Sequence, residues 1–340
     1  MLVLDREKIM HYAKQYKLSD IHIHSDQPIA IRVNGEISIM SEDIISQADV
    51  ESFVNEVLDE SNAASYQENK DADAIIAIEN LRFRINVYNT MTGPAMVMRK
   101  IETTIPKIES LGLPPSVIEV TKEKNGLVLI TGPTGSGKST SLAAIINRIN
   151  ETRPENIITI EDPIEFVHTS KRSLISQREV GKDASSFSRA LRASLREDPD
   201  VILVGELRDL ETISLSLTAA ETGHLVFGTL HTNGAPNTIN RILDVFPPSQ
   251  QDQARSQLSQ SLRVVVTQRL IKRVDKDSRV AAFEVMVNNT AVANLIRENK
   301  IFQISQAMET GKGSGMMTMQ DSLNRLLQLG IISEEDATKD

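Results

Sequence analysis

The residues best suited to chemistry are Gly132, Pro133, Thr134, Gly135, Ser136, Gly137, Lys138 and Ser139, followed by Thr140. Their order fits the G-x-x-x-x-G-K-[ST] pattern of a loop that wraps a polyphosphate. The glycines let backbone amides turn inward around phosphate oxygens, and a helix starting at the end of the loop adds partial positive charge. Lys138 is then placed to reach the β- and γ-phosphates of ATP. The Ser139 hydroxyl is placed to ligate Mg²⁺, with phosphate oxygens completing its octahedron.

Two groups of carboxylates follow apolar runs. Glu161, Asp162 and Glu165 come directly after IITI, and Glu206 comes after VILVG, ahead of Arg208 and Asp209. Beside a γ-phosphate, one carboxylate can orient or deprotonate water, and another can hold Mg²⁺ through its coordinated waters. Asp209 has a plainer reading, as the N-cap of a helix over 210–222.

His224 and His231 bracket the strand LVFGTL, about 20 Å apart at roughly 3.3 Å per residue, too far to share a metal. His231 stands at the end where a nucleotide would lie and can sense a γ-phosphate. His22 and His24 share one face of a strand with no third ligand in the sequence, which reads as a solvated or core-edge pair. Arg82 and Arg84 alternate with Phe83 and Ile85 and leave one strand face together, with Arg99 as a third candidate. They read either as an exposed basic face or as fingers reaching the phosphates of a neighbouring subunit, which would require an oligomer. Arg189, Arg192 and Arg196 oppose Phe187, Leu191 and Leu195 on a helix over 185–197, and read as a solvated or intersubunit stripe.

These groups need elements to hold them. LVLIT before the phosphate loop reads as a buried strand, and Leu142, Ile145, Ile146 and Ile149 after it as the buried stripe of a helix. Strands at 127–131, 157–161, 201–205 and 225–230 alternate with helices, which predicts an α/β domain with a mostly parallel sheet. In such sheets ligands bind at the carboxyl ends of the strands, where the acids stand. Ahead of it, a helix over 5–17, strands around 21–33, an Asn34-Gly35 hairpin, a helix over 50–66 and strands at 74–78, 81–88 and 95–101 predict a small α+β domain. Pro106, Pro114 and Pro115 mark a linker over 103–116. Helices are expected to fill the C-terminal quarter, one of them starting in the Gln/Ser-rich stretch 249–261.

Composition narrows the classes. A chain of 340 residues predicts two domains. A net charge of -9, 4% aromatic residues and no Trp argue against a nucleic-acid translocase, which needs stacking platforms and a phosphate-tracking groove. The absence of Cys removes disulfides, thiol nucleophiles and cysteine zinc sites. With no apolar run of about 20 residues and no signal-like start, the expected location is cytoplasmic.

Four stretches together, GPTGSGKST at 132–140, ITIEDPIEFVH at 158–168, LREDPDVILVGELRD at 195–209 and TAAETGHLVFGTLHT at 218–232, resemble the secretion and type IV pilus ATPases, and within them the pilus-retraction branch. The resemblance implies a PAS-like N-terminal domain over 1–102, a linker over 103–116 and a RecA-like P-loop domain over 117–340 with a C-terminal helical region. It implies that Glu161, Asp162 and Glu165 form an Asp box with Glu165 acting on the attacking water. Glu206 would be the Walker B glutamate, His231 would belong to a His box, and Arg82, Arg84 and Arg99 to an arginine-rich region. It further implies a homohexameric ring with ATP between the N-terminal domain of one subunit and the P-loop domain of the next. Hydrolysis would drive an inner-membrane platform protein of the PilC kind at the pilus base, with a paralogous retraction ATPase as a further partner. The chain lacks the tetra-cysteine module of extension and type II secretion ATPases. The stretch 291–298, AVANLIRE, resembles the retraction signature AIRNLIRE, with Val292 and Ala293 in place of Ile and Arg, which also fits an accessory retraction ATPase of the PilU type.

Overall fold

The computed structural model describes residues 6–338 except 17, 34, 80, 102, 103 and 277, and except the side chain of Ser61. It divides into two units, Met1–Thr104 and Ile105–Asp340.

The first unit runs α1 (Arg6–Gln15), β1 (Leu18–His24), β2 (Gln27–Val33), β3 (Glu36–Ile45), α2 (Gln47–Val57), α3 (Glu60–Asn69), β4 (Asp71–Ile78), β5 (Leu81–Thr90) and β6 (Gly93–Ile101). Its strands form an antiparallel sheet in the order β3-β2-β1-β6-β5-β4. Alternation decides its two faces. Ile21, Ile23, Ile29, Ile31, Phe83, Ile85, Met96 and Met98 are buried in one cluster with Ile9 and Met10 of α1 and Phe53 of α2. Burying each such side chain contributes roughly 1.5–3 kcal/mol. The β2–β3 pairing brings Val33 opposite Glu36, and Gly35 takes φ +92°, while Asn34 lies outside the described residues. The helix expected over 50–66 is broken in two, because Asp59 caps a new helix by accepting from the Asn62 amide.

The second unit contains α4 (Pro115–Glu119), β7 (Gly126–Thr131), α5 (Lys138–Thr152), β8 (Asn156–Glu161), β9 (Leu174–Glu179), α6 (Phe187–Ser194), β10 (Val201–Val204), α7 (Leu210–Glu221), β11 (Leu225–Leu230), α8 (Ala235–Asp244), α9 (Gln251–Ser261), β12 (Leu262–Lys272), β13 (Arg279–Val287), α10 (Thr290–Arg297), α11 (Ile304–Thr310), α12 (Met319–Gln328) and α13 (Glu334–Thr338). From Ile105 onward the proline-rich stretch packs with this unit, because Ile108, Leu113 and Val117 are buried in its core beside α5. The sheet order is β13-β12-β7-β11-β10-β8-β9, parallel from β12 to β9 with β13 antiparallel at one edge. Fully buried strands such as β7, β10 and β11 match their continuous apolar runs.

An expectation that fails is the all-helical C-terminal quarter. Residues 262–287 form the β12–β13 hairpin, and β12 lies directly beside β7; helices follow only from Thr290. The run Val264-Val265-Val266 is β-branched and buried, which favours a strand over a helix. The edge strand β9 is also absent from the sequence reading, because LISQRE alternates weakly and is half exposed. Among the described residues, no helix is long and apolar enough to cross a membrane.

Candidate nucleotide site

Strand β7 ends at Thr131, and the phosphate loop connects it to α5, whose N-cap is Gly137 at φ +88°. Two loop glycines are fixed by crowding as well as by backbone angle. A Cβ on Gly132 would lie 2.3 Å from the Gln268 carbonyl oxygen, and one on Gly137 would lie 2.7 Å from Gln268 Nε2. Gly135 meets nothing within 4 Å, but its φ of +77° disfavours any side chain. Ser136 is buried and its Oγ has no partner within the protein, as expected of a hydroxyl that a bound group would satisfy. Ser139 and Thr140 stand half-buried in the first turn of α5. Pro133 and Thr134 are exposed on the outer turn.

Lys138 is 9% exposed and folds over the loop, donating to the carbonyls of Gly132 (2.8 Å) and Pro133 (3.0 Å). Burial lowers its pKa, while the charges of Glu206 and Glu165 oppose that shift. Lys138, Ser139, Glu161, Asp162, Glu165 and Glu206 line one cleft.

The acids reach this cleft from adjacent strand ends. Register pairs Ile160 with Val204 and Leu230 with Thr131, so β7, β8, β10 and β11 terminate on one edge. Glu161 closes β8 and accepts from Thr159 Oγ1 (2.6 Å) and Gln177 Nε2 (3.2 Å). Burial raises its pKa despite these bonds. Glu206 accepts from Arg208 Nη2 (2.6 Å), and His231 Nε2 lies 3.5 Å away. Burial pushes the Glu206 pKa up, but Arg208 and His231 bring it below the ordinary value, so this carboxylate is ionised. Among the described residues no cluster of three or more His, Asp or Glu is arranged to hold a metal. Ser139 and Glu206 line the same cleft, where a hydroxyl and a carboxylate are oxygen donors of the kind that Mg²⁺ takes.

A family model for type II/IV secretion system proteins matches residues 2–325. The chain belongs to that family. It is 52% identical to the twitching motility protein of Neisseria gonorrhoeae, covering 91% of this chain and 83% of that protein. It is 44% identical to the type IV pilus retraction ATPase PilT of Pseudomonas aeruginosa, covering 98% and 97%. The crystal structure of the pilus retraction motor PilT with bound ADP superposes with a TM-score of 0.91, at 44% identity over 99% of this chain and 96% of that one.

Within this secretion-system fold, the remaining candidates fall into place separately. His224 stands at the far end of β11, its Nδ1 donating to the Ala219 carbonyl (2.9 Å) at the end of α7. Asp209 caps α7 through the Thr212 amide. Arg189, Arg192 and Arg196 are exposed, with Arg192 paired to Glu211.

The first unit holds Arg82, Arg84 and Arg99 on the sheet face opposite its core. Arg84 is opposite Arg99 in register, and Arg82 opposite Ile101. Arg99 Nε donates to Asp20 (2.8 Å), a carboxylate 4% exposed, while Arg84 reaches Asp73 at 3.5 Å. For Asp20, burial raises the pKa, but Ser19 and Arg99 outweigh it and hold it below the usual range. Arg82 Nη1 and His22 Nε2 are buried without partners.

Two residues of the site went unremarked in the sequence, and Arg208 was noted there only as following Glu206. Gln268 is a buried amide in a Val-rich run; it accepts from Ser141 Oγ (2.8 Å) and backs Gly137. Gln177 gave no local signal.

Proposed function

We propose that this chain is an ATP-hydrolysing motor that powers type IV pilus retraction. The observation that carries the reading is the convergence of a side-chain-excluding phosphate loop, Lys138 and four carboxylates that follow strand ends on one cleft. Near-full-length similarity to PilT supports the choice of work done.

In this reading the backbone N–H groups of residues 132–140 other than Pro133, together with the Lys138 ammonium, bind the phosphates of ATP. Charge neutralisation on the β- and γ-oxygens is the chemistry that a Mg²⁺ held by Ser139 and Glu206 would supply. Glu165 orients and deprotonates the attacking water, and buried Glu161, with Asp162, shapes the acidic edge around it. Arg82, Arg84 and Arg99 act in trans on the phosphates of a neighbouring subunit, in a homohexamer. The ring works on the cytoplasmic side of the inner membrane, peripherally bound at the pilus base through a platform protein. A second reading, an accessory retraction ATPase, rests on Ala293, where the retraction signature carries Arg.

The test is complementation of cells lacking the protein with the wild type or Glu206→Gln. Loss of retraction with pili retained on the surface, restored only by the wild type, is the expected result. Loss of the pili themselves would overturn the retraction reading in favour of extension, and unchanged pilus dynamics would leave the accessory role.

A further inference from the structure

After β8 the chain leaves the sheet, forms the acidic loop carrying Asp162 and Glu165, and returns as β9, which pairs with β8 itself. This return strand is at the sheet edge, and its register sets Gln177 beside Thr159 and Glu179 beside Glu161. Both side chains turn back on the loop that precedes them. Gln177 Oε1 accepts from the His168 amide (2.7 Å), and Gln177 Nε2 donates to the Phe166 carbonyl (2.9 Å) and to Glu161 Oε1 (3.2 Å). Glu179 Oε2 accepts from the Ile164 amide (3.0 Å). The backbone is therefore held on both sides of Glu165, and the group that holds it at Phe166 also holds the Glu161 carboxylate.

We propose that Gln177 is a positioning residue, a planar clamp that fixes the Glu165-bearing loop against Glu161 and so sets where Glu165 stands over the terminal phosphate. This rests on the ATP-hydrolysis reading. Glu165 is itself exposed, so its placement depends on the backbone that carries it. The chemistry at position 177 is specific. Phe166 O and the Glu161 carboxylate require donors, whereas His168 N–H requires an acceptor, and a primary amide supplies both in one rigid group. A carboxylate there would still accept from His168 but would oppose Glu161 and the Phe166 carbonyl. An aliphatic or shortened side chain would remove the partner of the His168 amide and of the Phe166 carbonyl and leave Glu161 with Thr159 alone.

The clamp also bears on the charge of Glu161. Burial, Glu165 and Glu179 all favour its protonated form, and the bonds from Thr159 and Gln177 oppose them. The phosphate loop, by contrast, is shaped by β12 through Gln268 and touches neither Gln177 nor Glu179 in the bonds described. Loss of the clamp should therefore impair the chemical step and spare ATP binding.

The experiment compares full-length wild type, Gln177→Ala and the isosteric Gln177→Glu, measuring steady-state ATP hydrolysis and hydrogen exchange with saturating nucleotide. A displacement of about 1 Å can cost on the order of a hundredfold in rate. The expected result is a kcat lower by about 10–100-fold in Gln177→Ala and lower still in Gln177→Glu, with KM for ATP within about threefold of wild type. Exchange across residues 162–170 should quicken by about tenfold or more while the rest of the second unit is unchanged. Unchanged kcat, a loss carried wholly by KM, or unchanged exchange over 162–170 would each overturn the assignment. If Gln177→Ala fails to fold, Gln177→Glu decides by the same criteria. Absence of hydrolysis by the wild type would overturn the motor reading instead, and the exchange pattern would then decide the clamp alone.

Discussion

In the second unit, the groups that would meet a phosphate are mostly backbone amides, aimed by glycine angles and by close packing of Gln268 behind the loop. In the first unit, the groups that would do so are guanidiniums on long side chains, and two of them already hold carboxylates, Arg99 with Asp20 and Arg84 with Asp73. The amides are held by the backbone that carries them, whereas Arg84, in a pair exposed on both sides, can exchange Asp73 for a phosphate at about 0–1 kcal/mol; for Arg99 the exchange costs more, because Asp20 is buried. A preformed cradle suits tight ground-state binding. Charges held in reserve suit a contact made only at one stage of a cycle.

Substitutions can break this contrast. The largest expected effect is at the cradle: Lys138→Ala should abolish nucleotide binding by titration calorimetry while the thermal unfolding of the chain is retained. Next, Glu206→Gln should bind ATP but lower turnover by about 10²–10⁴-fold, and normal hydrolysis would remove it from the chemistry. On the arginine side, Arg84→Ala should leave binding to isolated subunits intact and lower hydrolysis by about 10²-fold in assembled rings. Mixing it with wild-type subunits should restore hydrolysis at the mutant's own phosphate loops, and a failure of that rescue would end the idea of action in trans.

The smallest effect is on stability. Because burial raises the folded-state pKa of Glu161, its charge opposes folding at neutral pH, and that cost fades as pH falls through the folded pKa. Glu161→Gln, able to keep the bonds from Thr159 and Gln177, should raise the Tm by about 2–4 °C at pH 7, with the gain shrinking as the solution is acidified. A lowered Tm at pH 7 would show that the charge is better compensated than its surroundings suggest.

The phosphate loop and the acids at strand ends were legible because each is local: a motif flanked by its strand and helix, or a polar residue directly after an apolar run. The parallel sheet followed from the same alternation. What could not be read was whatever depends on contacts distant in sequence. Gln268 lies 127 residues from the Ser141 it holds, and β12 was mistaken for helix because a helix-forming Gln/Ser stretch leads into it. Gln177 sits on an edge strand whose half-exposed pattern carries no strong period. Alternation put Arg82 and Arg84 on one face, but that Arg99 pairs opposite Arg84, and that Asp20, 79 residues from Arg99, engages it, depends on contacts distant in sequence.

The pairing of β12 with β7 has a consequence for the order in which the protein is made. A ribosome releases β7 and the phosphate loop well before Leu262–Lys272, yet the loop's shape depends on Gln268 from that later segment. A nascent chain halted before Leu262 should therefore carry the whole phosphate-loop sequence and still fail to retain ATP, whereas one released beyond Val287 should capture it. Competence to bind fuel would thus arrive only after most of the second unit has been translated, which keeps unfinished chains from spending it.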